Sequence, residues 1–348
     1  MREVIIDLKA LKDNLKRIKS EANVPVMAIV KADAYGHGLI PCAKAAIEAG
    51  ADYLGVALLE EAVALREAGI NAPILAWLNP PGLDFESAVK LNIDLGVSSI
   101  AAFDEINSIP GARIHLKVET GMGRNGFSNE WADLLNRDLN QVVGVMTHLA
   151  RADEPSEIQN QEQLKNFDAR VAELHAKGVK PIRHISNTAA TLSNAAARYD
   201  MVRVGIAMYG LSPLGRNENF KPIMKVRAKL VLVKELPAGH PIGYGATVKT
   251  DRETKIGIVG MGYADGIPRN ASNVAGVTFN GESAPLIGRV SMDQFAVDLG
   301  PNSKAKSGDW VTVIGENFDA YDWAKACQTI HYEITTRMAP RIKRSYEN

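Results

Sequence analysis

The sequence predicts a (β/α)8 TIM-type barrel followed by a C-terminal all-β domain. Three observations carry this. Eight short apolar runs alternate with segments of helical period over the first two-thirds of the 348 residues. After about Ile223 the texture changes to closely spaced strand-like runs separated by Gly, Asn and Asp. No GxGxxG follows an early strand, which weighs against a doubly wound dinucleotide fold.

The chain opens with EVIIDL, a strand-like run that the barrel does not need and that is free to pair with the β domain. The barrel is assigned to residues 8–222, with strands over Pro25–Lys31, Tyr53–Ala57, Pro73–Leu78, Asp94–Val97, Ile114–Glu119, Val142–His148, Ile182–Ser186 and Val202–Ile206. Helical segments lie between them, among them Leu58–Gly69 and Gln159–Gly178, each closing on a glycine suited to a left-handed C-cap. Residues 223–348, with the N-terminal strand 1–7, form the β domain, where MKVRAKLVLVKEL, KIGIVGMGYA, VAGVTFNG and DWVTVIGE read as strands.

Composition narrows the function. Forty basic and forty acidic side chains cancel, and aromatics are 6%, so neither nucleic acid nor an anionic membrane is indicated as a partner. No apolar run approaches the ~20 residues that span a bilayer, and the charged N-terminus has no signal-peptide core. Two distant cysteines, Cys42 and Cys327, make neither a disulfide framework nor a metal cluster, which points to a reducing, cytoplasmic setting and no metal.

Polar residues gather where barrel chemistry belongs, at the C-terminal strand ends. VMAIVKADAYGHG ends the first strand on Lys31, a costly position for an amine unless it is paired, neutral or covalently occupied. Lys117 and Arg124 follow in HLKVETGMGRNGF, His148 in MTHLARADE, Asn187 and Thr188 in HISNTAA, and Arg203, Gly205 and Ile206 in MVRVGIAMYG. Taken singly, each has a bland reading: a lysine reaching solvent or pairing with Glu119, a structural histidine, an arginine in an ordinary ion pair. Convergence of five strand ends is the stronger signal. Asn187–Thr188 with Gly205–Ile206 suits a phosphate, and with a lysine and two arginines suggests pyridoxal phosphate held as a Schiff base.

These motifs, with GYGATV, GYADG and GRVSMDQ in the same order, resemble those of the alanine racemases, fold-type III pyridoxal phosphate enzymes, over essentially the whole chain. The resemblance implies interconversion of L- and D-alanine by two bases, Lys31 on the cofactor and Tyr244 from the partner subunit of a homodimer. It implies that Tyr35, Asn187, Thr188, Gly205 and Ile206 bind phosphate, that Arg124 contacts the phenolic oxygen and the substrate, and that His148 lies on the ring. Arg203, oriented by His184, would face the ring nitrogen; an arginine holds its proton, so that nitrogen stays unprotonated and favours proton exchange over transamination. Met292 would touch substrate, Tyr263, Asp153, Arg269 and Arg289 would line the access corridor, and Lys117 would be carbamylated. The product would serve peptidoglycan synthesis or alanine would be broken down.

The sequence departs from the family at Glu119, where aspartate is usual, at Thr188, where serine is common, and at Pro340, where some members place a gate tyrosine. Four alternatives stand beside this reading. A racemase of serine or another small amino acid keeps every motif. A decarboxylase would change Tyr244, and a non-catalytic pyridoxal phosphate carrier would lack the trailing domain. A metal-dependent dehydratase would need a His/Cys pair that KACQTIHYE does not match.

Overall fold

The computed structural model describes residues 1–348, the side chain of Asn217 excepted, and the chain divides into two compact units. Lys9–Ala34 and Leu39–Lys221 make the barrel unit; Met1–Leu8, Tyr35–Gly38 and Pro222–Asn348 make the sheet unit.

Strand β1 (Arg2–Asp7) belongs to the sheet unit. The barrel unit holds β2 (Val26–Ile29), β3 (Tyr53–Val56), β4 (Ile74–Ala76), β5 (Ile93–Val97), β6 (Ile114–Lys117), β7 (Val142–Met146), β8 (Ile182–His184) and β9 (Val202–Val204). All are parallel, from β8 through β2 to β9 in unbroken order. The ring closes where the Arg203 N–H donates to Ser186 O at 3.0 Å and the Asp200 N–H to Arg183 O at 3.1 Å. These strands are nearly all apolar because helices cover one face and barrel contents the other. Most stop one or two residues short of the runs read from sequence, where the chain leaves the ladder for the loops that bear the chemistry. The helices Leu59–Glu67 and Ile158–Ala176 end before Gly69 and Gly178, whose φ of +79° and +83° are the left-handed caps that glycine takes without strain.

The sheet unit contains β10 (Met224–Leu236), β11 (Pro241–Ile242), β12 (Val248–Lys249), β13 (Thr254–Val259), β14 (Gly276–Phe279), β15 (Glu282–Ile287), β16 (Phe295–Gly300), β17 (Trp310–Ile314) and β18 (Lys343–Glu347). Strand β10 serves two neighbourhoods. Its first half pairs antiparallel with β1 and β17; past an irregularity between Leu230 and Leu232, its second half pairs with β13. From β13 the order runs through β16, β15, β14 and β17 back to β10, closing a ring of six strands. Strand β18 extends it, parallel to β1. Asn280 and Gly281, at φ +50° and +84°, make the two-residue turn that joins β14 to β15.

One sequence reading changes here. KIGIVGMGYA is a strand only to Val259; a Cβ on Gly262 would lie 2.3 Å from Ser291 O, so the chain turns there against another backbone. Two short helices, Ala320–Ala326 and His331–Thr336, accompany the sheet. The first is capped by Asp319, which accepts from the Tyr321 and Asp322 N–H groups, and is fastened by Trp323 Nε1–H donating to Val313 O at 2.6 Å.

Candidate functional site

Lys31 follows β2 and the buried Val30, and the chain then does something L-residues avoid. Ala32, Asp33, Ala34 and Tyr35 have φ of +53°, +54°, +54° and +56°, and Gly36 continues at +83°. Lys31–Gly36 is therefore a left-handed turn built mostly from non-glycine residues, each costing roughly 1–2 kcal/mol. Tertiary bonds hold it: the Ala32 N–H donates to Glu61 Oε1 at 2.6 Å and the Leu39 N–H to Asp33 Oδ1 at 2.8 Å. The Lys31 ammonium lies 5.8 Å from the centroid of the Trp77 ring. Burial, with the neighbouring Arg124 guanidinium, lowers its pKa against the opposing pull of Glu61. A lowered lysine is a better nucleophile.

Lys117, at the end of β6, is buried, and burial together with Arg124, Arg203 and Lys31 brings its pKa down to about 8. It donates to Asn125 Oδ1 and not to Glu119. Glu119 is otherwise engaged: its carboxylate accepts the backbone N–H groups of Gly121, Met122, Gly123 and Arg124 at 2.5, 2.6, 3.0 and 3.3 Å. Those bonds lower its own pKa against desolvation and fix the glycine-rich turn that presents the exposed Arg124.

Arg203 is buried in β9 and gripped on several sides. Nη1 donates to His184 O at 2.5 Å and His184 Nδ1 at 3.2 Å; Nη2 donates to Thr147 O at 2.6 Å and reaches His148 Nδ1 and Ile185 O at 3.3 Å. Desolvation lowers it to about 10, so it remains a guanidinium at neutral pH. Burial and the surrounding cations keep both His148 and His184 neutral. Asn187 caps the helix Thr188–Ser193, accepting from the Ala190 N–H at 3.1 Å, and Thr188 Oγ1 accepts from the Gly205 N–H at 3.0 Å. Asn187, Thr188, Gly205 and Ile206 are thereby one continuous feature of the barrel unit. Asp153 is exposed in the loop after β7.

The sheet unit gathers the rest. Tyr35 there has a phenol pushed up by burial and a ring 6.1 Å from that of Tyr332. Tyr244 stands in the loop of the β11–β12 hairpin and is 71% exposed. A Cβ on the next residue, Gly245, would lie 2.9 Å from Arg289 Nη1, so that guanidinium flanks the Tyr244 turn. The Tyr263 N–H donates to Ser291 O and the Ala264 N–H to Met292 O, at 3.0 and 2.9 Å. Ser272 Oγ donates to Arg269 O and accepts from the Val290 N–H. Segment 288–292 is thus the hub joining Tyr244, Tyr263, Arg269, Arg289 and Met292. Tyr263 and Met292 remain 40% and 54% exposed.

The barrel unit brings four cations together, Lys31, Lys117, Arg124 and Arg203; Arg124 lowers the pKa of both lysines and Arg203 that of Lys117, while the nearby carboxylates Glu61 and Glu119 are spent on backbone amides. Such a cluster is built for an anion. With an amine poised to condense with an aldehyde, it fits pyridoxal phosphate. Sequence reasoning passed over Asp94 and His115, which continue the hydrogen bonding beneath His184. Their only signal was a carboxylate and an imidazole inside the apolar strands IDLGV and IHLK.

The chain matches the family model "Alanine racemase, N-terminal domain" over residues 6–213 and "Alanine racemase, C-terminal domain" over 223–346. It is 42% identical to the alanine racemase of Salinispora tropica, covering 99% of this chain and 98% of that one. Among solved structures, the alanine racemase of D-cycloserine-producing Streptomyces lavendulae superposes with a TM-score of 0.96 at 41% identity, covering 100% and 97%. That of Bartonella henselae, with covalently bound pyridoxal phosphate, superposes at 0.92 and 28% identity, covering 99% of each chain.

Proposed function

The chain belongs to the alanine racemase family, whose reaction is the interconversion of L- and D-alanine, and from that premise we propose how its own residues carry the reaction out. Pyridoxal phosphate is the cofactor, and when bound it supplies the electron withdrawal that acidifies the substrate Cα–H. Lys31 is its anchor. Asn187, Thr188, Gly205 and Ile206, with Tyr35, would receive the phosphate; Arg124 would face the phenolic oxygen and the substrate. His148, neutral, would lie against the ring, and Arg203 would face the ring nitrogen as a donor that does not give up its proton.

Lys31 then acts a second time. With the cofactor seated, its amine would take or return the Cα proton on one face. Inversion needs a partner on the other face, and we assign that to the Tyr244 phenol of a second copy, which makes the working unit a homodimer with shared sites. The exposure of Tyr244, Tyr263 and Met292 in one chain supports this assignment, as does their assembly on one segment. Lys117, with a pKa near 8, supplies enough neutral amine to be carbamylated, which would place an anion beside Arg124. Met292, with Tyr263, Asp153, Arg269 and Arg289, shapes access. Cytoplasmic residence belongs to the same proposal and rests on the cysteine usage; no described helix is long and apolar enough to cross a membrane.

The observation that carries the proposal is the four-cation cluster around a lysine with a lowered pKa. Its test is chiral chromatography after separate incubation with L-alanine and D-alanine in the presence of pyridoxal phosphate. Convergence of both on an equal mixture is the expected result. A folded, yellow protein that changes neither would keep the cofactor and overturn the substrate.

A further inference from the structure

The hydrogen bonds that end at Arg203 begin on the far side of the barrel interior. Asp94, in β5, is buried and is met by Arg113 Nε at 2.7 Å and by His115 Nε2 at 3.1 Å. His115, in β6, reaches His184 Nε2 with its Nδ1 at 2.9 Å, and His184 Nδ1 meets Arg203 Nη1 at 3.2 Å. Both imidazoles are fully buried.

Donor and acceptor roles follow from the two ends. Hydrogen bonds from His115 and Arg113 hold the Asp94 carboxyl below the usual range against its desolvation, so it is ionised and only accepts. His115 therefore carries its proton on Nε2, and its bare Nδ1 accepts from His184 Nε2–H. That leaves His184 Nδ1 bare, facing the one neighbour that can only donate, Arg203. Every bond in the series points the same way, from guanidinium to carboxylate. Reversing either ring would set two N–H groups, or two lone pairs, against each other inside the barrel.

The space for this series is also built. Strand β7 lies between β6 and β8, and its residue there is Gly144. A Cβ on Gly144 would sit 2.1 Å from His115 Nδ1, on the atom that bonds His184. Any side chain at 144 would displace His115 and open the series.

We propose that Asp94 and His115 are positioning residues for the racemase site: they dictate the tautomer of His184 and through it hold the Arg203 guanidinium at the ring nitrogen. The proposal rests on the reading of Arg203 given above. It extends that reading to two residues that touch neither cofactor nor substrate.

Nitrogen-15 spectra of the histidine-labelled holoenzyme, which has seven histidines, test it directly. In the wild type His115 and His184 should each show one tautomer, protonated on Nε2. Asp94→Leu should let both exchange between tautomers, change the visible absorbance of the bound cofactor and lower kcat about 10- to 100-fold with KM little moved, the range seen where an outer partner orients an imidazole. His115→Phe guards against misfolding of that variant, because its ring fills the same space while His184 loses its acceptor; it should give the same His184 signature. A His184 tautomer and absorbance unchanged in both variants would overturn the proposal. The imidazole nitrogens report whether or not pyridoxal phosphate is seated. A protein that took up none would break the cofactor reading and leave this one to be judged on its own signals.

Discussion

The two units treat their functional side chains in opposite ways. Arg203 in the barrel unit is enclosed by acceptors from four residues and Glu119 is spent on four amides, so that arginine and the turn that carries Arg124 are held before any ligand arrives. Tyr244 in the sheet unit stands between glycines in the loop that joins the two short strands β11 and β12, and faces solvent. The difference separates preorganisation from completion. A single chain carries a preassembled cationic cluster and a solvent-facing tyrosine, and the proposed sharing of Tyr244 with a second copy rests on that difference.

Lys31→Ala should break the barrel half outright. Loss of the covalent anchor removes both the visible absorbance of the bound cofactor and, by about 10⁴-fold or more, racemisation, as removing a nucleophile does elsewhere. An unchanged spectrum would take Lys31 out of the role.

Tyr244→Phe should break only the other half. Racemisation falls by about 10²- to 10⁴-fold, while the cofactor stays bound and one alanine enantiomer still exchanges its Cα hydrogen with D2O without inversion. Mixing this variant with Lys31→Ala should restore activity once the subunits exchange. Silence after proven exchange would mean that each site is made within one chain.

The smallest effect sharpens the electrostatic side of the contrast. Lys117 loses its proton near pH 8 in the fold but near 10.5 in the unfolded chain. Across that window the unfolded chain binds more protons, so stability should rise with pH, and Lys117→Met should flatten the rise. Parallel melting curves for the two proteins from pH 8 to 10.5 would show that the cluster is not strained by its own charge.

How much of this was legible beforehand follows the same division. Strand–helix alternation and strand-end polar residues are local signals, and they located the barrel and Lys31, Lys117, His148 and Arg203. The path from Asp94 through His115 was not legible, because a lone carboxylate near a strand start reads as surface and only the closed ring turns it inward. Nor was the turn after Lys31: of Ala32, Asp33, Ala34 and Tyr35, only the aspartate is of a type that visits the left-handed region they occupy with any frequency. KIGIVGMGYA misled for a third reason, since the stop at Val259 comes from a backbone distant in sequence.

That left-handed turn has a consequence for how the sequence can drift. Elsewhere in the chain, glycine in place of alanine loosens the unfolded state and lowers stability by about 0.5–1 kcal/mol. At Ala32, solvent-facing with φ of +53°, relief of roughly 1–2 kcal/mol of backbone strain outweighs that penalty, so the sign reverses. Valine or isoleucine at the same place meets the full steric barrier of a branched Cβ in a mirror-image backbone. Position 32 is a tether beside the reactive amine where the usual scale of conservative replacement runs backwards, and any library built on that scale would discard its best members first.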